Sequence, residues 1–253
     1  MHSFSGTCPV CSHATTYTSE NDWFRDFLHC AHCKSIPRER AFVYVLERAQ
    51  PDWRTKVIHE SSPADRKVST RIRDACPNYI PTQYFPHAPL GSIHEGTRCE
   101  NLEALTFEDN SIDLHCHLDV MEHVNHPDKC FEEMERTLRP GGQIIFTTPV
   151  YEELVHTQRW GYYDDQGQVH FLFEPEYHGN PIDKKGAPVT FHYGQDLANM
   201  ILQWTKDCGV EVITLNDPYL GVLGKFREVF VVTKRGPAAN KVQGLKRWKN
   251  FKN

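Results

Sequence analysis

The stretch that decides the fold is Asn101-Leu-Glu-Ala-Leu-Thr-Phe-Glu-Asp-Asn-Ser-Ile-Asp113, continued by Leu114-His-Cys-His-Leu-Asp-Val-Met-Glu-His123 and closed by Leu138-Arg-Pro-Gly-Gly142. Physically it is a polar loop, a largely apolar strand over Ser111 to Leu118, a helix over Asp128 to Leu138, and a Pro-Gly-Gly turn feeding a second strand, Gln143 to Thr148. Working outward, Lys56-Val-Ile-His-Glu60 predicts a short strand, Pro63 to Ala75 a polar helix, and Tyr79 to Phe85 another strand. A turn-rich segment, Pro86 to Gly96, leads into the deciding stretch. Downstream come a helix over Gln195 to Cys208 and strands over Val210 to Leu215 and Glu228 to Lys234. Alternating strands and helices predict an α/β domain whose mostly parallel sheet is covered on both faces. Ligands of such sheets bind beyond the carboxyl ends of the strands.

The wording of the deciding stretch resembles the second half of a class I S-adenosylmethionine (SAM) methyltransferase of the type 11 kind, in which "L-x-F-x-D-x-S-F-D … L-E-H-V … L-x-P-G-G" runs through the fourth and fifth strands. The resemblance spans roughly residues 53 to 234 and implies a Rossmann-like sheet, mostly parallel with its last strand antiparallel. It implies SAM as cofactor. It also implies a place for each cofactor contact: Glu60, Ser61 and Ser62 at the methionine end, Gln83 at the ribose, Asn101 (beside Glu100) at the adenine, and His117, Leu118 and Asp119 near the sulfonium. Glu122 and His123 match the family's Glu-His pair. Two departures stand out. The Gly-x-Gly loop after the first strand is replaced by Glu60-Ser-Ser-Pro63, and the acidic end of the second strand by Thr82-Gln-Tyr84.

Residues 150 to 193 break the rhythm of strand and helix. They are rich in aromatics and histidine, and some forty residues without periodicity in a compact domain predict a functional lid or a small insertion. The string Glu174-Pro-Glu-Tyr-His-Gly-Asn-Pro181 within it, with Thr147-Thr-Pro149 upstream, looks like a subfamily signature. A hydroxyl acceptor needs a base, and a histidine titrates near neutrality. His178, flanked by Glu176 and Tyr177, is the first candidate, with His170 and His123 behind it.

Ahead of this domain, Cys8-Pro-Val-Cys11 and Cys30-Ala-His-Cys33 are separated by eighteen residues, a spacing that suits a closed tetrahedral zinc site with a folding role. His13, His29 and His32 are bystanders to a shell that four thiolates complete. Arg38 to Arg48 follows with helical apolar spacing, stopped by Pro51. A zinc knuckle and an Arg-rich helix ahead of a methyltransferase core also resemble a group of bacterial tailoring enzymes. The expected organisation is therefore a zinc-ribbon-like module with its linker helix over 1–50, the methyltransferase-like domain over 51–235, and a basic tail over 236–253.

In that tail Lys241, Lys246, Arg247, Lys249 and Lys252 cluster around Trp248 and Phe251, which predicts a solvated, frayed end. With 39% hydrophobic and 24% charged residues the chain can bury one substantial core. The net charge of −5 argues against nucleic acid as a partner. No apolar run is long enough to cross a membrane, and no signal-like segment begins the chain, so the expected location is cytoplasmic. Cys76, Cys99, Cys116, Cys130 and Cys208, scattered singly among the nine cysteines, fit a reduced protein. The resulting expectation is O-methylation of a small-molecule or glycan-type acceptor, with a second copy of the chain as a candidate partner. The alternatives are a non-catalytic methyltransferase-like binding protein that docks a partner, and a SAM enzyme with a non-methylation outcome such as cyclisation.

Overall fold

A computed structural model describes residues 1–64, 67–180, 183–236 and 245–249. The short, wholly buried segment Ile58–Ser61 forms strand β1. Tyr79–Gln83 (β2), Thr97–Cys99 (β3), Ile112–Leu118 (β4) and Leu138–Thr147 (β5) run parallel with it. Cys208–Thr214 (β6) and Glu228–Lys234 (β7) extend the sheet, with β7 antiparallel to both β5 and β6. The order of these seven strands across the sheet is β3-β2-β1-β4-β5-β7-β6, with one further short strand at each edge. The sheet is thus the predicted mostly parallel one whose last strand is reversed.

Four helices matter to the argument: Pro37–Ala49 (α1), Lys67–Ala75 (α2), Pro127–Thr137 (α3) and Leu197–Trp204 (α4). Helix α1 starts with Pro37 in the first turn, where a missing N–H costs nothing, and the Glu39 carboxylate accepts the Ile36 N–H at 3.1 Å. One face of the sheet packs against α1, α2 and the N-terminal module through Phe42, Leu46, Ile58, Val68, Leu114 and Cys116. The other face packs against α3 and α4 through Phe131, Met134, Phe146, Ile201 and Phe230.

Several boundaries differ from the sequence reading. Strand β5 begins at Leu138, before the Gly-Gly turn: Gly141 takes a φ of +83°, and the pairing with β4 shifts register between Ile112 and Leu114, so the turn is absorbed as a bulge. Helix α4 ends at Trp204, and Cys208 already pairs in β6. The turn-rich segment contains a strand, Ile93–His94, that folds back on β3 about Glu95 and Gly96, both at positive φ. The tail is also corrected: Lys246–Lys249 pairs in parallel with β6 at the sheet edge, because a backbone ladder was open there. Lys241, Phe251 and Lys252 lie outside the described residues, as do Asp65 and Arg66 of the predicted helix and Pro181 of the lid string.

The face toward α3 carries an unexpected polar chain. His59 Nδ1 lies 2.8 Å from His115 Nδ1, His59 Nε2 lies 2.7 Å from the Thr82 hydroxyl, and His115 Nε2 lies 2.8 Å from the Thr137 hydroxyl. The Thr137 hydroxyl donates to the carbonyls of Glu133 and Met134, so it accepts from His115 Nε2–H. That fixes the rest: His59 Nδ1–H donates to His115, and the Thr82 hydroxyl donates to His59 Nε2. Burial holds the pKa of His59 down to about 3 and that of His115 well below 6.5.

Candidate functional site

The parallel register gathers most of the sequence-derived cofactor candidates at one edge. Ser61 pairs with Thr82, Gln83 with Cys99, and Leu118 with Thr147, so the tips of β1 to β5 end together. The loop after β1 keeps a left-handed turn without glycine: Ser62 sits at φ +54°, and its N–H donates to the Thr82 carbonyl at 2.8 Å. A non-glycine residue there is strained by about 1–2 kcal/mol. Ser62→Gly should therefore raise unfolding stability by roughly 0.5–1 kcal/mol once glycine's extra chain entropy is deducted. Urea denaturation of the two proteins measures this, and an equal or lower midpoint for the glycine form would contradict the strain.

Two carboxylates assigned to the cofactor by resemblance are engaged by the protein itself. Glu60 is buried and accepts the hydroxyls of Ser69 at 2.6 Å and Tyr79 at 2.7 Å. Asp119 follows β4 at φ +55° and is clamped by Arg25 Nη2 at 3.0 Å, Arg38 Nε at 2.7 Å and the Thr147 hydroxyl at 2.9 Å. The clamp ties the N-terminal module to the carboxyl edge of the sheet. Asn101 turns its Oδ1 back onto the Glu103 N–H at 2.9 Å, while neighbouring Glu100 is buried on Arg98 and Thr106. His117 is fully buried, its ring stacked 4.8 Å from Phe146 with neither nitrogen hydrogen-bonded. Leu118 lies on the opposite face of the sheet from it.

The lid is built from three small antiparallel ladders: Gln158–Arg159 with Phe191–His192, Gly161–Tyr163 with Val169–Phe171, and Tyr177–His178 with Ala187–Pro188. It is fastened to the 121–124 turn by the Tyr193 hydroxyl on the Met121 carbonyl and by Thr190 on the carbonyls of Glu122 and Val124. Tyr151, His192, Trp160 and Phe173 form one continuous stack, with successive ring centroids 4.3, 3.8 and 4.5 Å apart.

This fastening brings His178 to Glu122 and His123. His178 Nδ1 faces Glu122 Oε1 at 3.6 Å and its Nε2 faces Glu176 Oε1 at 3.2 Å, while His192 Nε2 holds the other oxygen of Glu176 at 2.7 Å. Burial alone would lower the His178 pKa, but Glu122 and Glu176 outweigh it and raise it. A cavity of about 310 Å³ opens here, lined among others by Trp23, Arg25, Tyr151, Glu176, His178 and Phe226. His178 is the one of the three candidate bases that lines it. His123 sits behind, its Nδ1–H on the Pro188 carbonyl, and His170 lies on the outer hairpin, paired with Asp164 at 2.7 Å. Sequence reading missed Trp23, Arg25 and Phe226, which come from parts of the chain with no motif; their only signal is their aromatic or cationic type.

At the N-terminus the four cysteine sulfurs lie within 4.8 Å of one another. Cys8 and Cys33 are 3.7 Å apart, Cys11 and Cys30 3.9 Å.

Comparison with known proteins bears on the fold. Residues 83–146 match the methyltransferase domain family. A chain in the Haloferax volcanii complex of the Trm112 methyltransferase activator shares the fold at a TM-score of 0.52 and 12% identity, over 80% of this chain and 92% of its own. A SAM-dependent methyltransferase from Mesorhizobium loti aligns at 0.49 and 15% identity, over 77% of this chain and 98% of its own. The [4+2]-cyclase SpnF aligns at 0.49 and 12% identity, over 87% and 86%. No curated protein sequence matches. The chain thus has the Rossmann-like fold of the SAM-dependent methyltransferases, with the family match confined to residues 83–146. Among the described residues, no helix is long and apolar enough to cross a membrane.

Proposed function

We propose that the protein transfers the methyl group of SAM to a hydroxyl oxygen of a small-molecule or glycan-type acceptor. The observation that carries this reading is the cavity at the carboxyl edge, walled by Trp23, Tyr151 and Phe226 and presenting His178 and Glu176. Flat apolar walls with a few convergent polar groups suit a small acceptor such as a sugar ring. SAM brings its own activated methyl, so the chain's part is alignment, exclusion of water and removal of a proton. Ser61, Ser62, Gln83, Asn101 and Leu118 are the residues assigned to the cofactor, with Glu60 and Asp119, held by their protein partners, shaping the loops beside it and His117 packed beneath. The Glu122–His178–Glu176 group is assigned the acceptor's proton, with His123 buttressing His178 from 5.1 Å and His170 bracing the lid.

The same reading gives the four cysteines a structural zinc ion. Tetrahedral zinc at about 2.3 Å from each sulfur sets the sulfurs about 3.8 Å apart, and the separations here are 3.7 and 3.9 Å. Thiols that are free and buried at Cys76, Cys99, Cys116, Cys130 and Cys208 support a reducing, cytoplasmic setting.

Calorimetric titration of SAM and S-adenosylhomocysteine into zinc-replete protein tests the cofactor assignment. Micromolar binding is expected, weakened about tenfold by Asn101→Ala, the worth of roughly one hydrogen bond. Absence of binding in folded protein would overturn the reading in favour of a non-catalytic domain. With binding in hand, transfer of labelled methyl to saccharide acceptors tests the chemistry. Turnover of the cofactor complex without methylated product would point instead to a non-methylation outcome.

A further inference from the structure

Behind the cavity wall three side chains converge in a way that hydrogen bonding does not account for. The Nδ1 of His123 lies 2.8 Å from the Pro188 carbonyl oxygen, which can only accept, so Nδ1 carries the proton and Nε2 presents a lone pair. In the neutral ring of His178, Nε2 donates to Glu176 Oε1 at 3.2 Å, which leaves Nδ1 as the lone-pair atom. Glu122 is 1% exposed; its Oε2 accepts the Thr148 hydroxyl at 2.9 Å, and its Oε1 has no hydrogen-bond partner. With His178 neutral, three lone-pair atoms, His123 Nε2, His178 Nδ1 and Glu122 Oε1, converge on one place. They lie within 4.8 Å of each other, with Oε1 3.8 Å from His123 Nε2 and 3.6 Å from His178 Nδ1.

Those separations are too long for hydrogen bonds. They suit ligands on a common ion: two atoms each about 2.1 Å from a tetrahedral centre are about 3.4 Å apart. The two separations from Glu122 Oε1 need close by only a few tenths of an ångström to reach that value. Each ligand is also already oriented from behind, His123 by a backbone carbonyl, His178 by a carboxylate and Glu122 by a hydroxyl, which is the usual support of a metal-binding histidine or carboxylate.

We propose that Glu122, His123 and His178 form a second metal site, distinct from the cysteine cluster, that binds one first-row divalent cation such as zinc. Two imidazoles and one carboxylate make a borderline ligand set with coordination positions left over. His178 lines the cavity, so an oxygen of the entering acceptor can fill an open position. What the ion does there rests on the methyl-transfer reading above; its binding does not. With the ion in place His178 is a ligand, and the acceptor's proton passes to Glu176.

The test is equilibrium dialysis of the full chain against micromolar Zn²⁺, with metal content counted per chain. Wild type should hold two ions. Glu122→Gln, His123→Ala and His178→Ala should each hold one, and a Cys8→Ser/Cys11→Ser variant should lose the other. One ion per wild-type chain, or two that survive both histidine substitutions, would overturn the site. Because Glu122 is buried, far-UV circular dichroism of each variant accompanies the count, and the exposed-side substitution His178→Ala decides if Glu122→Gln fails to fold. S-adenosylhomocysteine affinity, measured in parallel, separates the outcomes: variants that lose the ion and keep the cofactor leave the methyltransferase reading standing.

Discussion

On acidification from pH 7.5 to 5 the protein should lose about 4 kcal/mol or more of folding stability, through buried histidines alone. His59 and His117 are fully buried, and burial holds each near pKa 3, against 6.5 in the unfolded chain. The sign follows from which state binds the proton. Between 6.5 and 3 the unfolded chain takes up protons that the folded protein excludes, so the stability is complete above 6.5 and is lost as the pH falls through that window. At pH 5 each such histidine costs about 2 kcal/mol. His115, also pushed well below 6.5 by burial, adds in the same direction. The groups facing this set are the three histidines themselves, Asp119, which favours the charged form of His117, and Arg98, which disfavours that of His59. Against a total of about 5–15 kcal/mol for a typical domain, the loss is large. Urea unfolding at the two pH values measures it. His117→Phe, which keeps a ring on Phe146 and removes two unpaired nitrogens, should cut the acid loss by about 2 kcal/mol. An unchanged pH dependence in that variant would refute the assignment.

The second large effect is expected at Arg40, which has no exposed surface. Its guanidinium donates to the carbonyls of Leu28 at 2.8 Å, of Gly221 at 2.6 Å and of Ser35, and lies 4.6 Å from the Tyr17 ring. It therefore joins the second cysteine knuckle, α1 and the loop before β7. That loop comes close enough only because Gly221, at φ +64°, has no side chain: a Cβ there would meet the Tyr17 ring at 2.7 Å. Burial disfavours the Arg40 charge, and Cys8, then Tyr17, then Cys30 offset it. With the zinc ion proposed above, four thiolates and the ion would carry a net charge of −2 by simple count, a counter-charge for Arg40.

Arg40→Met should cost about 3–5 kcal/mol, since one member of a buried charge set is removed and its partners are left. Arg40→Lys should rescue little, because a point ammonium cannot reach three separate carbonyls. If the proposed zinc ion is bound, stripping it with a chelator should act on the same junction from the other side. Trypsin should then cleave at Arg25 and Arg38, whose side chains are otherwise largely buried on Asp119. Equal denaturation midpoints for Arg40→Met and wild type, or trypsin resistance after chelation, would argue against this coupling.

The order of strands and helices was legible from Lys56 to Lys234 because apolar periodicity is local, and so was the four-cysteine module, because ligand spacing is local too. The Ser-Ser replacement after β1 could be read as a departure, but its left-handed turn could not, since φ at Ser62 is set by the Thr82 carbonyl across the sheet. Glu60 and Asp119 show the limit more sharply. Their positions at strand ends were correct, yet Ser69, Tyr79, Arg25 and Arg38 take up the carboxylates, and no spacing rule relates residues 25 and 119. The frayed-tail reading failed at Lys246–Lys249 because an open sheet edge outweighs local charge.

What the sequence determined by itself is the fold class, the methyltransferase wording of its second half and the paired-cysteine module, each carried by residues near one another in the chain. Only the tertiary structure decided which polar groups are consumed by packing and which remain to bind something. His59, His115 and His117 read as ordinary strand residues and became a buried neutral set. Glu122, His123 and His178 lie on two segments more than fifty residues apart and became one cluster. The physical reason is that burial and partnering depend on what the rest of the chain brings to each side chain, and a carboxylate or imidazole changes its charge, its tautomer and its use with that company.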